Sequence, residues 1–247
     1  MAKQLKTACL MMLAMTVMTG LAYPALVTLL AQAAFRDEAN GSLVSSNGQV
    51  IGSRVIGQNF TRVEYFHPRP SVAGQGYDAT ASGGSNLGPT SAKLFNGTTK
   101  LDDTKHEVVE FDGLKDRIVH YTLENGLPFE SSRPLDAFRN SRGDLDDVAL
   151  IKAFNDEKAP LTFVPSTPVP ADAVTASASG LDPHISPRNA ELQTARVAKA
   201  RGVSVEQIQA VVAEHTQART LGFLGEPAVN VLELNLALDK RFAPGKE

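Results

Sequence analysis

Three residue types that form hydrolase catalytic triads occur together at 179–186, where the sequence is SGLDPHIS: Ser179, Asp182 and His184. A triad is normally assembled from residues far apart in the chain, and the nucleophile-elbow pattern G-x-S-x-G is absent from the sequence. We therefore predict no catalytic residues and keep an anchored hydrolase centred on these three only as an alternative. We interpret the segment as a structural or partner-binding loop made of Ser179, Gly180, Leu181, Asp182, Pro183 and His184.

A second segment could present successive backbone N–H groups to an anion. It is the weak candidate for a cofactor-binding site and consists of Ser82, Gly83, Gly84 and Ser85. A tight turn with glycines at positive φ explains the same residues, and we favour that interpretation. Gly74-x-Gly76-x-x-Ala79 fits the dinucleotide-binding pattern but follows a proline-rich HPRP segment, not a buried strand. No tightly bound cofactor is predicted.

Metal-ligand spacing such as H-E-x-x-H does not occur among the five histidines at 67, 106, 120, 184 and 215. We expect His215 to cap the end of a helix. The single cysteine, Cys9, excludes an intrachain disulfide framework and a cysteine-rich cluster. The sequence predicts no metal site.

The charges are distributed unevenly along the chain. Its 247 residues carry a formal net charge of −3, and the pI of about 6.0 gives no electrostatic footprint for nucleic-acid binding. Residues 1–35 hold Lys3 and Lys6 and no acidic residue, so all 27 acidic residues lie in the remainder. The pattern indicates an apolar head on an acidic soluble body.

No charged residue occurs from Thr7 to Phe35. About 20 residues of helix cross a hydrocarbon core of roughly 30 Å, so we predict a retained transmembrane anchor over 1–35. The alternative is a secreted binding module released by cleavage after Ala33, since Ala31-Gln32-Ala33 has the small-x-small form of a signal-peptide site. The apolar run is longer than the usual 7–15 residues of a signal peptide, which favours the anchor.

Gly20 and Pro24 are expected to bend this helix, because proline removes a backbone donor and clashes one turn back. A bend survives in lipid when neighbouring helices cover the freed backbone groups, so Gly20 and Pro24 are predicted to pack against partner helices. Lys3 and Lys6 precede the span, and the positive-inside rule places the N-terminus in the cytoplasm. The body at 36–247 is then extracytoplasmic, or periplasmic in a cell with an inner membrane.

The predicted fold class is α+β: one transmembrane helix followed by a single soluble mixed α/β domain. Val50-Ile51 and Val55-Ile56 indicate short strands, and the glycine-rich stretch 74–88 indicates a loop without regular structure. Residues 95–160 are more charged and are typical of helices: one carries Leu114, Ile118 and Tyr121 before Gly126, and a second opens at Asp144-x-x-Asp147.

Helix signals are strongest in the last third of the chain. Ser186-Pro187 is an N-cap with proline at N1, and the helix that it starts runs towards Gly202. Ser204-x-x-Gln207 is a capping box. Asn230-x-x-Glu233 favours another helix start, although the leucines at 232, 234, 236 and 238 also alternate as in a strand.

Several strings resemble one family, the C chain of the Kdp-type potassium-transporting ATPase. The resemblance covers about 1–94 and 165–240, and residues 95–160 depart from it as a variant insertion. The strings are YPALVT (23–28), ANGSLV (39–44), GSRVIGQNF (52–60), YFHPRPS (65–71), ASGGSNLGPT (81–90), VTASASGLDPHISP (174–187), RVAKARG (196–202) and LGFLGEPAVNVLELNLALDK (221–240).

The resemblance implies a single-pass, non-catalytic inner-membrane subunit of an ATP-driven K⁺ pump. Its implied partners are a K⁺-channel-like subunit, a P-type ATPase subunit and a small single-span subunit. The family is described as a catalytic chaperone that raises the ATP affinity of the hydrolysing subunit through a ternary complex with ATP. Because the lysines place the body on the opposite side from cytosolic ATP, we expect that effect to be indirect.

Overall fold

A computed structural model of the chain describes residues 1–46 and 48–242 and divides it into two compact units, Met1–Val55 and Ile56–Glu247. The first unit extends past the apolar head because the residues that follow fold back onto one another. The backbone N–H of Ser42 donates to the Asp37 carbonyl (2.9 Å), and Arg54 forms an ion pair with Asp37.

The apolar head is helical from Ala2 to Ala34, and it is long and apolar enough to span a membrane. Helix α1 (Ala2–Val17) continues through a π-helical turn (Met18–Ala22) into α2 (Tyr23–Ala34). The π-turn lies where a bend was predicted at Gly20 and Pro24. Pro24 has no N–H to donate to the preceding turn, and the Tyr23 N–H reaches back five residues to the Met18 carbonyl.

The first unit ends with a short helix, α3 (Arg36–Ala39), and an antiparallel hairpin of β1 (Leu43–Ser46) and β2 (Gln49–Ser53). The hairpin confirms the strand predicted at Val50-Ile51. The strand predicted at Val55-Ile56 is wrong: the chain turns after Ser53 and no β-strand forms at these two residues.

In the second unit, residues 57–91 contain no helix or strand of regular length, which confirms the predicted glycine-rich loop. There follow α4 (Ala92–Asn96), the antiparallel pair β3 (Thr98–Leu101) and β4 (Glu107–Phe111), and α5 (Leu114–Glu124). Strand β5 (Phe129–Ser131) pairs with β6 (Phe163–Pro165), and a 3₁₀ turn (Leu135–Phe138) and α6 (Asp147–Phe154) lie between them.

The block at 95–160 therefore contains strands as well as the two predicted helices. α5 and α6 enclose a core of their own, formed by Val119, Leu135, Phe138, Leu150, Ala153, Phe154 and Leu161. Asp144 was predicted to open α6, but the N-cap is Asp146, whose side chain accepts the Ala149 N–H at 3.0 Å. Asp147 is instead the first residue of the helix.

The last third has α7 (Ala171–Val174), β7 (His184–Ile185), α8 (Pro187–Arg201), α9 (Val205–Glu214), β8 (Thr216–Gln217), β9 (Ala228–Asn230) and α10 (Val231–Arg241). β9 lies between β7 and β8, antiparallel to both. The N-caps at Ser186, Ser204 and Asn230 and the Ser204–Gln207 capping box are confirmed, so 231–241 is a helix and not a strand.

This third buries the largest core, in which α8, α9 and α10 cover the small sheet. Its fully buried side chains include Ile185, Val197, Ile208, Val229, Leu234 and Leu238, together with Phe66 from the long loop. Phe66 thus ties the irregular segment to the helical part of the fold. His215 is the C-cap residue of α9, as predicted, with Nδ1 2.9 Å from the Val211 carbonyl oxygen.

Candidate functional site

A cleft of about 360 Å³ opens in the second unit between the long loop and helices α5 and α8. Its wall includes His67 and Tyr77 from the loop, His120 and Glu124 from α5, and Gln193 from α8. The loop has no regular secondary structure, so those of its backbone groups that turns do not satisfy need side-chain partners.

Two buried amides perform that task. Asn235 accepts the Phe66 N–H through Oδ1 (2.8 Å) and donates Nδ2 to the Phe66 carbonyl (3.0 Å). Gln193 binds the backbone of His67 in the same way: its Oε1 accepts the His67 N–H (2.7 Å) and its Nε2 donates to the His67 carbonyl (3.1 Å). Both amides are 1% exposed, and each replaces the two hydrogen bonds that a neighbouring strand would give.

Two arginines of α8 extend this clamp. Arg196 donates to the carbonyls of Val63 (2.7 Å) and Tyr65 (2.9 Å), and Arg201 donates to that of Glu64 (2.8 Å). The Arg201 side chain is fully buried. The two arginines of the RVAKARG string, Arg196 and Arg201, therefore have a structural role, because they hold the loop that lines the cleft.

At the loop end of the cleft, Arg69 pairs with Asp182 at 2.9 Å, and the Tyr77 hydroxyl donates to the Arg69 carbonyl at 2.8 Å. The hydrogen bond from His184 lowers the pKa of the Asp182 carboxyl most, and the Arg69 charge lowers it further. The pKa therefore lies below its usual value despite partial burial. Burial raises the pKa of Tyr77, so its hydroxyl stays neutral.

The structure brings Asp182 and His184 together but places Ser179 in a different network. The Asp182 Oδ1 lies 3.5 Å from His184 Nδ1, whereas Ser179 Oγ accepts the Leu181 N–H (3.1 Å) and contacts Ser177 Oγ. Across residues 1–46 and 48–242, no hydrogen bond joins Ser179 to His184. Ser179 and His184 therefore make separate contacts, and the interpretation of 179–184 as a structural or partner-binding loop stays a prediction.

The weak anion candidate, 82–85, lies against that same loop. Ser179 uses its carbonyl to accept both the Gly83 N–H (2.9 Å) and the Ser82 hydroxyl (3.0 Å), so these donors face protein. The preferred explanation by positive φ is wrong for Gly83 and Gly84, since neither has it. Glycine is needed at 84 for close approach: a Cβ there would lie 2.8 Å from the Ala178 carbonyl oxygen.

Asp116, His120 and Asp147 form a second cluster beside the cleft. His120 Nε2 lies 2.8 Å from Asp147 Oδ1 and 3.9 Å from Asp116 Oδ2. Asp116 is 3% exposed, and its Oδ1 has no hydrogen-bond partner. Burial raises the pKa of this carboxyl to about 7, and a hydrogen bond to Asp147 raises the pKa of His120.

A third feature is an exposed apolar tip at 221–224. Leu221, Phe223 and Leu224 are 78%, 69% and 49% exposed. The tip is closed by a bridge between Thr220 and Leu224 and by an ion pair of Arg219 with Glu226 at 2.6 Å. A stable turn that presents three large apolar side chains to solvent is typical of a contact surface.

Comparison with known proteins then decides the family. The family model described as KdpC, the K⁺-transporting ATPase c chain, matches residues 5–117 and 136–240. The chain belongs to the KdpC family.

Curated relatives named potassium-transporting ATPase KdpC subunit support this membership. Those of Koribacter versatilis and Mycobacterium tuberculosis are each 45% identical, over 97% of this chain and 95% and 100% of their own length. That of Myxococcus xanthus is 46% identical over 92% of this chain and 83% of its own.

The KdpC model leaves 118–135 between its two matched stretches. That segment is narrower than the variant insertion expected at 95–160, and it contains most of α5, the strand β5 and His120. The predicted loop at 179–184, the segment 82–85, Gly20 and Pro24 all lie within matched residues.

Sequence reasoning missed the amide clamp and the Asp116 cluster. Asp116 and His120 have the i, i+4 spacing of one helix face, which was a detectable signal. Asp147 is 27 residues from His120, and only the packing of α6 on α5 brings it there.

Proposed function

We propose that the chain is an accessory, non-catalytic subunit of a potassium-transporting ATPase, held in the inner membrane by its N-terminal helix. The observation that carries the proposal is KdpC membership over nearly the whole chain, together with an apolar helix of 33 residues. That helix is about 50 Å long at 1.5 Å per residue, more than a bilayer core requires.

The partners of the proposal are a K⁺-channel-like subunit, a P-type ATPase subunit and a small single-span subunit. No side chain of α1, the π-turn or α2 is buried within the chain, so the helix surface before Ala31 is available to other helices. The freed backbone around Pro24 is the part that most needs a protein neighbour in lipid.

The second unit is proposed to dock on the outer face of the channel-like subunit, near the K⁺ entrance. The apolar tip supports this, because Leu221 and Phe223 are exposed although they lie in a stretch that the family model matches. Replacing Leu221 and Phe223 with Ser should weaken co-purification of the chain with its partners. Val164→Ser is a control, since Val164 is 60% exposed on another part of the surface.

Lys3 and Lys6 support a cytoplasmic N-terminus and an extracytoplasmic second unit. Protease added to right-side-out vesicles should then digest the second unit, and inverted vesicles should protect it. Protection in right-side-out vesicles would contradict the orientation.

A role as catalytic chaperone, in which the chain raises the ATP affinity of the hydrolysing subunit, follows as linkage across the membrane. The contacts described above favour an indirect effect, because the N–H of Gly83 and the hydroxyl of Ser82, the weak nucleotide candidates, already donate to Ser179. Photo-crosslinking with an azido-ATP should therefore label the hydrolysing subunit and leave this chain unlabelled.

A further inference from the structure

Asp116 presents a buried carboxylate oxygen, Oδ1, that the fold leaves without a hydrogen bond, while its other oxygen, Oδ2, lies 3.9 Å from His120 Nε2. The side chain is almost wholly buried, Oδ1 makes no hydrogen bond, and no Lys or Arg among the described residues forms an ion pair with it. A buried carboxylate oxygen without a hydrogen bond is costly, and native folds seldom keep one unless a further group completes it. We therefore looked for neighbouring groups that, together with Asp116, could bind a ligand.

Two more ligand atoms converge on the same place. Asp116 and His120 share one face of α5, and Asp147 is the first residue of α6. One ligand atom from each residue lies within 4.8 Å of the other two. Both helices are fixed by the core beneath them, in which Val119 of α5 and Leu150 of α6 are fully buried.

We propose that Asp116, His120 and Asp147 bind one divalent transition-metal ion of the zinc class. Zn²⁺ takes imidazole nitrogen and carboxylate oxygen at about 2.0–2.2 Å, and a tetrahedral ion then separates its ligands by roughly 3.4 Å. The separations of 2.8 and 3.9 Å lie on either side of that value, so small side-chain rotations close the site. Two carboxylates and a neutral imidazole balance the charge of the ion.

The choice of metal follows from the donor set. An imidazole ligand suits zinc and its neighbours, whereas K⁺, Mg²⁺ and Ca²⁺ favour sites made of oxygen alone. His120 and Asp147 have side chains 46% and 44% exposed, so water reaches the ion from the cleft side and completes its coordination. The ion ties α5 to α6, and His120 comes from the 118–135 segment that the family model does not match.

Calorimetric titration of the full-length, tag-free chain in detergent tests the site, after removal of metals with a chelator. Zinc should bind at one ion per chain, and Asp116→Asn and His120→Gln should each weaken binding at least tenfold. Asp116→Asn keeps the size of the side chain and removes a buried charge that no Lys or Arg among the described residues neutralises, so this variant is expected to fold. His106→Gln is the matched control, because His106 is exposed with Thr104 as its neighbour and should leave zinc affinity unchanged.

Thermal unfolding gives an independent readout. Zinc should raise the Tm of the wild-type chain and of His106→Gln, and at the same zinc concentration it should raise the Tm of Asp116→Asn by less. Equal zinc affinity in the wild type and both ligand variants would overturn the proposal, and so would a Tm that zinc does not move. Calcium binding as tight as zinc binding would overturn the zinc-class assignment. If zinc does not bind at these residues, His120 and Asp147 form a hydrogen-bonded pair only.

Discussion

Asn235 on α10 holds both backbone polar groups of Phe66, 169 residues earlier in the chain, with hydrogen bonds of 2.8 and 3.0 Å. The contact joins the irregular loop to the helical core at the point where the Phe66 ring is buried. It is one of two such amide clamps, and the cleft wall depends on both.

Replacing Asn235 with Leu should destabilise the second unit by about 2–6 kcal/mol, because two buried backbone groups lose their partners at about 1–3 kcal/mol each. Urea unfolding measures the loss. Gln209→Leu is the matched control, since Gln209 is an exposed amide on α9, and its free energy of unfolding should change little. Equal losses in the two variants would contradict the role given to Asn235.

Gly180→Ala should destabilise the chain by about 1–3 kcal/mol. Gly180 has φ of +67°, and a Cβ there would lie 2.6 Å from the Gly83 carbonyl oxygen. Gly83→Ala provides the control from the opposing loop, because its Cβ would meet nothing closer than 3.9 Å and its φ is not positive. Differential scanning calorimetry should show a lower Tm for Gly180→Ala alone. A larger loss in Gly83→Ala would contradict the interlocked loops.

Asp182 should contribute to stability above acid pH. Its pKa in the folded chain is lowered, chiefly by the hydrogen bond from His184, so its contribution is complete above the unfolded value of about 3.8. The contribution is lost as the pH falls from that unfolded value through the lower pKa of the folded chain, where the carboxylate becomes protonated. The Tm difference between wild type and Asp182→Asn should therefore be largest near neutral pH and should shrink towards pH 3.

Asp103→Asn controls for general acid effects, because Asp103 is an exposed loop residue. Its Tm should follow that of the wild type at every pH. A gap between wild type and Asp182→Asn that stayed constant from pH 7 to pH 3 would show that the Asp182 charge is not responsible.

Gly20→Leu should reduce co-purification of the chain with its partners, because a small residue at the π-turn lets a second helix approach closely. A Cβ added at Gly20 meets nothing within 4 Å in this chain, so a loss of assembly in Gly20→Leu reports on a partner. Ala22→Leu places the same bulk on nearly the opposite side of the helix and should assemble normally. Equal assembly of both variants with the pump would contradict packing at Gly20.

The helices at Ser186, Ser204 and Asn230 could be predicted because the capping residues that start them lie within a few neighbouring residues. The sheet formed by β7, β9 and β8 could not, since strands of two or three residues carry no measurable period. The same reason explains the error at Val55-Ile56: the residues favour a strand, but the chain turns after Ser53 and pairs only its preceding part.

Site residues follow the same division. The loop at 179–184 was predicted as structural or partner-binding because its triad residues are too close in sequence, and in the fold Ser179 and His184 make separate contacts. The Asp116 cluster and the Asn235 clamp depend on contacts across 27 and 169 residues, which tertiary packing alone creates. Pro24 predicted a disturbed helix. The sequence did not predict that the disturbance would be a π-turn in which the Tyr23 N–H donates to the Met18 carbonyl.

The accessory role is tested most directly by K⁺-stimulated ATP hydrolysis of the pump purified with and without this chain. The account predicts that omission lowers K⁺-stimulated turnover and raises the ATP concentration needed for half-maximal rate, and that adding the chain back restores both. Unchanged assembly, turnover and ATP dependence in its absence would contradict the account.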